Sequence, residues 1–279
     1  QDAYGDLSRV ENITRVLEAM EAKSASFLHT DLHGLRFDIP TIARSLAESG
    51  CGSMRDVISG LFQLNARGEG KTRWGDKTPY YVLHIPKLVE WWPDCQIIHL
   101  IRDGRDVALS MFERRHDFRA YNTYMVAKEW QNYVDRGRAS GKALDPAQYL
   151  EIRYEDMLAD QKSALVRICD FLGATYSDEL LEFKKAGVAG KTPLLQKPVQ
   201  KNNRDKWRTQ MSPHQISVFE SVASDTLSAC GYELATQSAT LPLPTRALYR
   251  LHHRLTTKWF QRFGPKKKKW HPSVPAQKT

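Results

Sequence analysis

Hydrophobic residues in the first third of the chain recur three or four positions apart, which predicts helices. The first helix follows Ser8, whose spacing to Glu11 matches a capping box. A second begins near Pro40, and a third is opened by the capping residue Ser53. No strand is predicted before Gly75, although an α/β nucleotide-binding domain normally begins with one.

The pattern changes at 97–101, where Ile97, Ile98, Leu100 and Ile101 form a short apolar run. Such a run is typical of a strand that is buried on both faces of a parallel sheet. Asp103-Gly104 ends it, and from Arg105 the hydrophobic positions fall on one face of a helix. The sequence therefore predicts a strand, a tight turn and a helix in succession.

The other segments complete an α/β pattern around this unit. Alternation in 149–153 predicts a second strand, capped by Tyr154, Glu155 and Asp156. Helices are predicted at 82–92, 122–138, 161–172, 178–185 and 212–231. Together these elements predict a parallel sheet flanked by many helices, with one main domain over residues 1–240.

Charged side chains cluster where the first strand ends. Arg102 lies at the carboxyl edge of the predicted sheet, where ligands of open α/β domains bind. Ser110 and Arg114 follow four residues apart, so we expect them to share a helix face. Two guanidiniums and a hydroxyl suit a phosphate. The alternative is a set of ordinary surface salt bridges among Arg102, Asp103, Arg105 and Asp106.

Composition narrows the function only loosely. The chain is 41% hydrophobic and 26% charged, as globular proteins are, and its net charge of +9 favours anionic ligands. Its four cysteines lie far apart, without metal-binding spacing, so we expect no metal site and a reduced, cytoplasmic protein. Because the chain begins at Gln1 and not at Met, export stays an open alternative. We expect no nucleic-acid partner.

The last 39 residues, 241–279, form a separate basic region. Residues 246–263 carry Leu248, Leu251, Leu255, Trp259 and Phe263 at helical spacing, and four lysines follow at 266–269. An amphipathic helix of this kind can bind anionic lipid or a polyanion. The alternative that we favour from sequence is that its apolar stripe packs on the domain.

The segment 101–110, Ile-Arg-Asp-Gly-Arg-Asp-Val-Ala-Leu-Ser, resembles the 3′-phosphate-binding segment of sulfotransferases that use 3′-phosphoadenosine 5′-phosphosulfate (PAPS). It is especially similar to bacterial sulfotransferases and tyrosylprotein sulfotransferases. The resemblance implies a sulfotransferase fold of the P-loop NTPase type. It also implies that Arg102, Ser110 and Arg114 bind the 3′-phosphate of PAPS or of its product, adenosine 3′,5′-bisphosphate (PAP).

Three further motifs match the same family in order. Lys77 lies in a Lys-Thr-Pro turn, and the resemblance makes it the catalytic residue that stabilises the transferring sulfuryl group. Tyr154 lies in an Arg-Tyr-Glu-Asp element, which implies contact with the cofactor nucleotide. Lys197 and Lys206 match a Lys-Pro-Val…Lys-Trp stretch that folds over the cofactor, although a basic loop is the simpler interpretation.

One family element is not found in these residues: the strand and the Pro-Arg-Ser-Gly-Thr-like loop that cradle the 5′-phosphosulfate. We expect that this N-terminal strand and loop were lost or lie outside the sequence. The predicted function is sulfuryl transfer from PAPS to a hydroxyl or amine of a small molecule, carbohydrate or protein tyrosine. The alternative is a non-catalytic module that binds a 3′-phosphonucleotide or a polyanion. A P-loop kinase is opposed by the two Gly-Lys-Thr sequences, which lack the earlier glycine of that motif.

Overall fold

A computed structural model describes residues 3–31, 38–182, 200, 202–237 and 240–264. The two predicted strands, β1 (Ile97–Ile101) and β2 (Tyr149–Arg153), are confirmed at their predicted bounds. They pair in parallel, with Ile97 opposite Tyr149 and Ile101 opposite Arg153. Within the described ranges these two strands make up the sheet. No strand precedes β1 in that part of the chain.

Twelve α-helices accompany the strands in the described residues. They are α1 (Val10–Asp31), α2 (Ile39–Glu48), α3 (Met54–Gly68), α4 (Ile85–Trp91), α5 (Gly104–Glu113), α6 (Arg115–Phe118), α7 (Thr123–Gly141), α8 (Tyr154–Ala159), α9 (Gln161–Leu172), α10 (Trp207–Gln210), α11 (Pro213–Ala229) and α12 (Leu243–Phe263). Two 3₁₀ helices span Pro79–Leu83 and Asp178–Glu182. No described helix is both long and apolar enough to cross a membrane.

The described chain divides into two compact units, the first ending at Thr78. The first unit is helical, and α1, α2 and α3 bury Ile13, Leu46 and Leu61 in a core of their own. The hydroxyl of Ser53 caps α3, as predicted, by accepting a hydrogen bond from the Asp56 N–H. This unit contains no sheet among its described residues.

The second unit begins at Pro79 and contains the sheet. One face of the sheet packs against α7 at two helical glycines. A Cβ at Gly137 would lie 2.3 Å from a Val82 methyl and 2.6 Å from the His99 ring, and one at Gly141 would lie 2.3 Å from the Tyr149 ring. The close approach of helix and sheet therefore depends on these two positions having no side chain.

Three sequence predictions need correction. Ile98 and Leu100 are 38% and 48% exposed, and because side chains alternate along a strand they share one face, so β1 is not buried on both faces. Ser8 hydrogen-bonds Asp6, and α1 begins only at Val10, so the predicted capping box does not form. The helix predicted at 82–92 is split into the 3₁₀ helix and α4, with a proline in the first turn of α4.

The tail differs most from the favoured prediction. α12 is helical, but its predicted apolar stripe does not pack on the domain, because Leu248, Leu251, Leu255, Trp259 and Phe263 are each more than half exposed. The helix is held through its neighbouring face: Tyr249 stacks on Tyr124 at 5.5 Å and Phe260 stacks on Tyr121 at 5.0 Å. Aromatic contacts at the start of α7 thus fix α12 and leave the leucines in solvent.

Candidate anion-binding site

The turn after β1 is held by buried charges. Asp103 caps α5 by accepting from the Arg105 N–H at 2.9 Å, and its own N–H donates to Glu155 at 2.9 Å. The Tyr232 hydroxyl donates to the same Glu155 carboxylate at 2.8 Å. Burial, together with this carboxylate, raises the pKa of Tyr232 above its ordinary value, so the hydroxyl stays protonated as a donor. The first residues of α5 are thereby fixed to the end of β2.

Arg105 lies at the centre of this turn and is 1% exposed. Its guanidinium donates to Asp103 at 2.7 Å and to Glu220 of α11 at 2.6 Å. Burial alone would raise the pKa of Glu220, but hydrogen bonds from Ala235, Thr236 and Arg105 lower it, so the carboxylate is ionised. The alternative of surface salt bridges is therefore wrong for this residue, because both of its ion pairs are buried.

Arg102 has different surroundings. Its guanidinium lies over the Tyr154 ring at 4.9 Å and donates through Nη2 to the backbone oxygen of Asn203 at 3.1 Å. The Asn203 side chain in turn donates to the Tyr154 hydroxyl at 3.0 Å. The ends of both strands and the segment before α10 therefore meet at one cluster, which we call the Arg102 cluster: Arg102, Tyr154 and Asn203.

The segment that brings Asn203 to this cluster is anchored by Trp207. The Trp207 N–H donates to Asp106 of α5 at 2.9 Å, and its ring lies 3.6 Å from the Arg105 guanidinium carbon. Lys206, the residue before it, is half-buried. Burial raises the pKa of Asp106, while the Trp207 N–H and the Arg102 charge act in the opposite direction. Trp207 thus fixes this basic segment against the first turn of α5.

Ser110 and Arg114 do not form the single helix face that the sequence predicts. Ser110 is exposed on α5, but the helix ends at Glu113, so Arg114 lies beyond it and precedes α6. There Arg114 pairs with Asp117 at 3.2 Å and lies 5.0 Å from the Phe118 ring. These local partners keep the Arg114 side chain at the α5–α6 junction.

Two further predicted residues, Lys77 and Lys197, do not belong to the described part of the second unit. Lys77 is exposed in the first unit, in the irregular segment between α3 and the 3₁₀ helix at Pro79–Leu83, where the Thr78 hydroxyl donates to Asp76 at 3.2 Å. Lys197 lies outside the described residues. The helix predicted from Asp178 is a 3₁₀ turn up to Glu182, and its remainder also lies outside them.

The Arg102 cluster has an unused hydrogen-bond donor. The Nε of Arg102 is buried and has no hydrogen-bond partner. Its Nη2 lies 3.9 Å from Oδ2 of Asp106, a buried oxygen that also has no hydrogen-bond partner. Since an unpaired buried donor is costly, a bound oxyanion would suit this position. Among the described residues no group of three or more His, Cys, Asp or Glu could hold a metal.

Asn203 is a residue of the cluster that the sequence patterns do not identify. The Asn202-Asn203 pair predicts only a turn, whereas the structure uses both the backbone oxygen and the side chain of Asn203 to join Arg102 and Tyr154. Nothing local to the sequence identifies this role, because Asn203 lies 101 residues from Arg102. The Lys206-Trp207 motif, which begins three residues further on, marks the segment but not Asn203 itself.

The chain is similar to known sulfotransferases in both sequence and structure. A model of the sulfotransferase family matches residues 8–178. The chain is 31% identical over 133 residues to a putative protein-tyrosine sulfotransferase of Caenorhabditis briggsae, covering 45% of this chain and 46% of that protein. It is 24% identical over 186 residues to carbohydrate sulfotransferase 2 of Mus musculus, covering 50% and 35% of the two chains. The chain thus spans less than half the length of these curated relatives.

A solved structure with a similar fold is the sulfotransferase domain from the curacin biosynthetic pathway, with a TM-score of 0.51 and 21% identity over 77% of this chain and 80% of that one. A second is the sulfotransferase domain from the Synechococcus PCC 7002 olefin synthase, with a TM-score of 0.53 and 25% identity over 80% and 76%. The α/β architecture with a parallel sheet flanked by helices is therefore a sulfotransferase fold.

Proposed function

The chain belongs to the sulfotransferase family, and we propose that it transfers a sulfuryl group from PAPS to an acceptor hydroxyl or amine. When bound, PAPS supplies an activated sulfuryl group whose departure from phosphate leaves PAP. The observation that carries the proposal is the Arg102 cluster, with its unpaired buried Nε and its tyrosine ring at the carboxyl edge of the sheet. The proposal assigns this guanidinium to the 3′-phosphate and Tyr154 to the nucleotide.

Other residues of the chain complete the proposed donor site. Ser110 is an exposed hydroxyl on α5, two turns beyond the Arg102 cluster, and we assign it to the same phosphate. Lys206 directly precedes the anchoring Trp207, and we assign its ammonium to a phosphate of the donor. Arg114 and Lys197 complete the assignment, and Arg114 would have to leave Asp117 to take part.

Lys77 is the proposed catalytic residue. Sulfuryl transfer forms a bond between the acceptor oxygen or nitrogen and sulfur and breaks the bond between sulfur and the bridging phosphate oxygen. Negative charge develops on that bridging oxygen as the bond breaks, and the acceptor proton passes to a base. A compact ammonium held at the bridging oxygen stabilises this charge in the transition state. Lys77 in its Lys-Thr-Pro turn is assigned that role.

The acceptor is proposed by its chemical class. Relatives are named for tyrosine in proteins and for carbohydrate, and both groups present a hydroxyl as the sulfuryl acceptor. We propose an acceptor of this kind, with small molecules as a further class, and a cytoplasmic location as the sequence predicts.

The proposal is tested by calorimetry with PAP and by transfer from labelled PAPS to tyrosine peptides, oligosaccharides and small alcohols or amines. We expect wild-type protein to bind PAP and Arg102→Ala to bind it about 30-fold or more weakly, because a phosphate would lose its paired guanidinium. The matched control is Arg208→Ala, which removes an exposed arginine of the same segment that pairs with Asp205 and Glu233. Equal PAP affinity in wild type and Arg102→Ala would contradict the assignment, and PAP binding without any transfer would favour the binding module.

A further inference from the structure

The exposed apolar face of α12 is unexplained by sulfuryl transfer. We call it the α12 stripe, and its members are Leu248, Leu251, Leu255, Trp259 and Phe263. All five are more than half exposed, and they recur along most of a helix of 21 residues, which is about 30 Å long. A contiguous apolar surface of this kind marks an interaction site.

The α12 stripe is exposed although α12 itself is packed against its unit. The neighbouring face of the helix is already docked: Phe260 lies against Tyr121 at 5.0 Å and His116 at 4.5 Å. The Asn122 side chain donates to the backbone oxygen of Tyr249 at 3.1 Å. The helix is therefore held in place in its own unit while the stripe faces away from it.

Positive charge runs beside the stripe. Four exposed cations recur every fourth residue and so form a row along one side of the helix: Arg250, Arg254, Lys258 and Arg262. No acidic residue follows Glu233, whereas ten of the 41 Lys and Arg residues do. Residues 1–233 therefore carry 31 basic and 32 acidic residues. The entire net positive charge of the chain belongs to its last 46 residues.

We propose that α12 binds the surface of a membrane that contains anionic lipids, lying in the plane of the headgroups. The stripe would insert its leucines, Trp259 and Phe263 below the headgroups, and the cation row would contact lipid phosphates and carboxylates. Long basic side chains beside an apolar face can reach headgroups while their stems stay in the apolar layer.

Two other occupants fit the surface less well. A soluble polyanion would bind the cation row but would leave the exposed leucines and Trp259 in water. A second copy of the chain would cover the apolar residues but would bring two cation rows together with no acidic residue on either helix. Anionic lipid is the partner that satisfies both the stripe and the row.

The experiment is sedimentation of the full chain with vesicles of phosphatidylcholine alone or with phosphatidylserine in a two-to-one ratio. We expect binding to the serine-containing vesicles only. The stripe variant Leu251→Ser/Leu255→Ser/Trp259→Ser and the row variant Arg254→Gln/Lys258→Gln/Arg262→Gln should each reduce the bound fraction about tenfold or more. The matched control is Leu180→Ser/Leu181→Ser, which changes two exposed leucines elsewhere in the same unit and should bind as wild type does.

Each alternative has its own result. If wild type and the stripe variant both bound heparin and wild type did not bind vesicles, the result would overturn the proposal in favour of a polyanion. If wild type were a dimer in ultracentrifugation and the stripe variant a monomer, and wild type did not bind vesicles, the result would overturn the proposal in favour of self-association. Vesicle binding that is unchanged in the stripe variant would also contradict it. All substituted side chains are exposed, so we expect each variant to have the same thermal unfolding temperature as wild type, and measuring that temperature verifies its fold.

Discussion

Arg102 and Arg105 stand three residues apart in one motif, yet the fold uses them differently. Arg105 lies between two carboxylates and a tryptophan ring, and each of its three guanidinium nitrogens donates a hydrogen bond to Asp103 or Glu220. Arg102 keeps a donor nitrogen without a hydrogen bond. Since buried polar groups are normally paired, we propose a structural role for Arg105 and a ligand-binding role for Arg102.

Removing Arg105 should destabilise the second unit strongly. Arg105→Met would leave the carboxylates of Asp103 and Glu220 buried without their common partner, and breaking a buried ion pair in this way costs roughly 3–5 kcal/mol. Denaturant unfolding would measure the loss. Arg208→Met is the control, because its ion pairs are exposed and each contributes roughly 1 kcal/mol or less. Equal stability of Arg105→Met and wild type would show that the network contributes nothing.

His99 gives the stability of the fold a pH dependence. Burial first, and then the nearby Arg138 charge, lower the pKa of His99 to about 4 from the usual 6.5. Below pH 6.5 the unfolded chain binds a proton at this site that the folded chain does not bind until about pH 4. The unfolding free energy therefore falls as pH drops through this window.

We expect wild type to lose up to roughly 2 kcal/mol more than His99→Gln between pH 7 and pH 5. Denaturant unfolding at the two pH values measures the difference, and the comparison with His99→Gln cancels the other groups that titrate there. Glutamine keeps a polar partner for the Tyr149 hydroxyl, which lies 2.5 Å from His99 Nδ1. Parallel losses in the two proteins would mean that His99 titrates normally in the fold.

At the scale of elements, the sequence predicts what is local. β1 and β2 appear at their predicted bounds because alternation and apolar runs are properties of neighbouring residues. The bond from Arg105 to Glu220 spans 115 residues and leaves no local signal. The sequence also did not predict which face of α12 packs. Periodicity identifies its apolar stripe, but it does not reveal that the aromatic residues on the adjacent face stack against the domain instead.

The packing of α7 against the sheet should be sensitive to the addition of a single Cβ atom at Gly137. Alanine at Gly137 gains up to about 1 kcal/mol of helix propensity. Its Cβ, however, would lie 2.3 Å from Val82 and 2.6 Å from His99, and overpacking of this kind costs roughly 1–3 kcal/mol. We therefore expect net destabilisation of Gly137→Ala in thermal or denaturant unfolding.

Asn132→Ala, at an exposed position of the same helix, is the control for propensity alone. It should leave stability unchanged or raise it slightly. If Gly137→Ala were as stable as Asn132→Ala, the close approach of α7 to β1 would not depend on glycine.

The whole molecule divides the proposed function between two units. The Arg102 cluster lies in the second unit, together with Ser110 and Lys206, whereas Lys77 belongs to the first. Each unit has its own hydrophobic core. The proposal therefore assigns donor binding to residues of the second unit and stabilisation of the leaving oxygen to Lys77 of the first unit, so separate variants can test the two roles.

This division makes Lys77 the sharpest test of the chemistry. If its ammonium acts on charge that develops only in the transition state, its loss should lower turnover and leave donor binding nearly unchanged. We expect Lys77→Ala and Lys77→Arg each to reduce single-turnover transfer from labelled PAPS roughly a hundredfold, as for one oxyanion donor. Arginine should not substitute, because its planar fork cannot occupy the place of a compact ammonium.

Lys71→Ala is the matched control, because Lys71 is an exposed lysine shortly before Lys77 in the same unit. It should keep full turnover, which excludes a general effect of charge on encounter with the anionic donor. Calorimetry with PAP should give similar affinities for wild type and all three variants. Full transfer by Lys77→Ala would make Lys77 an ordinary turn residue, and a parallel loss of PAP affinity would make it a binding residue, because only a transition-state contact lowers turnover alone.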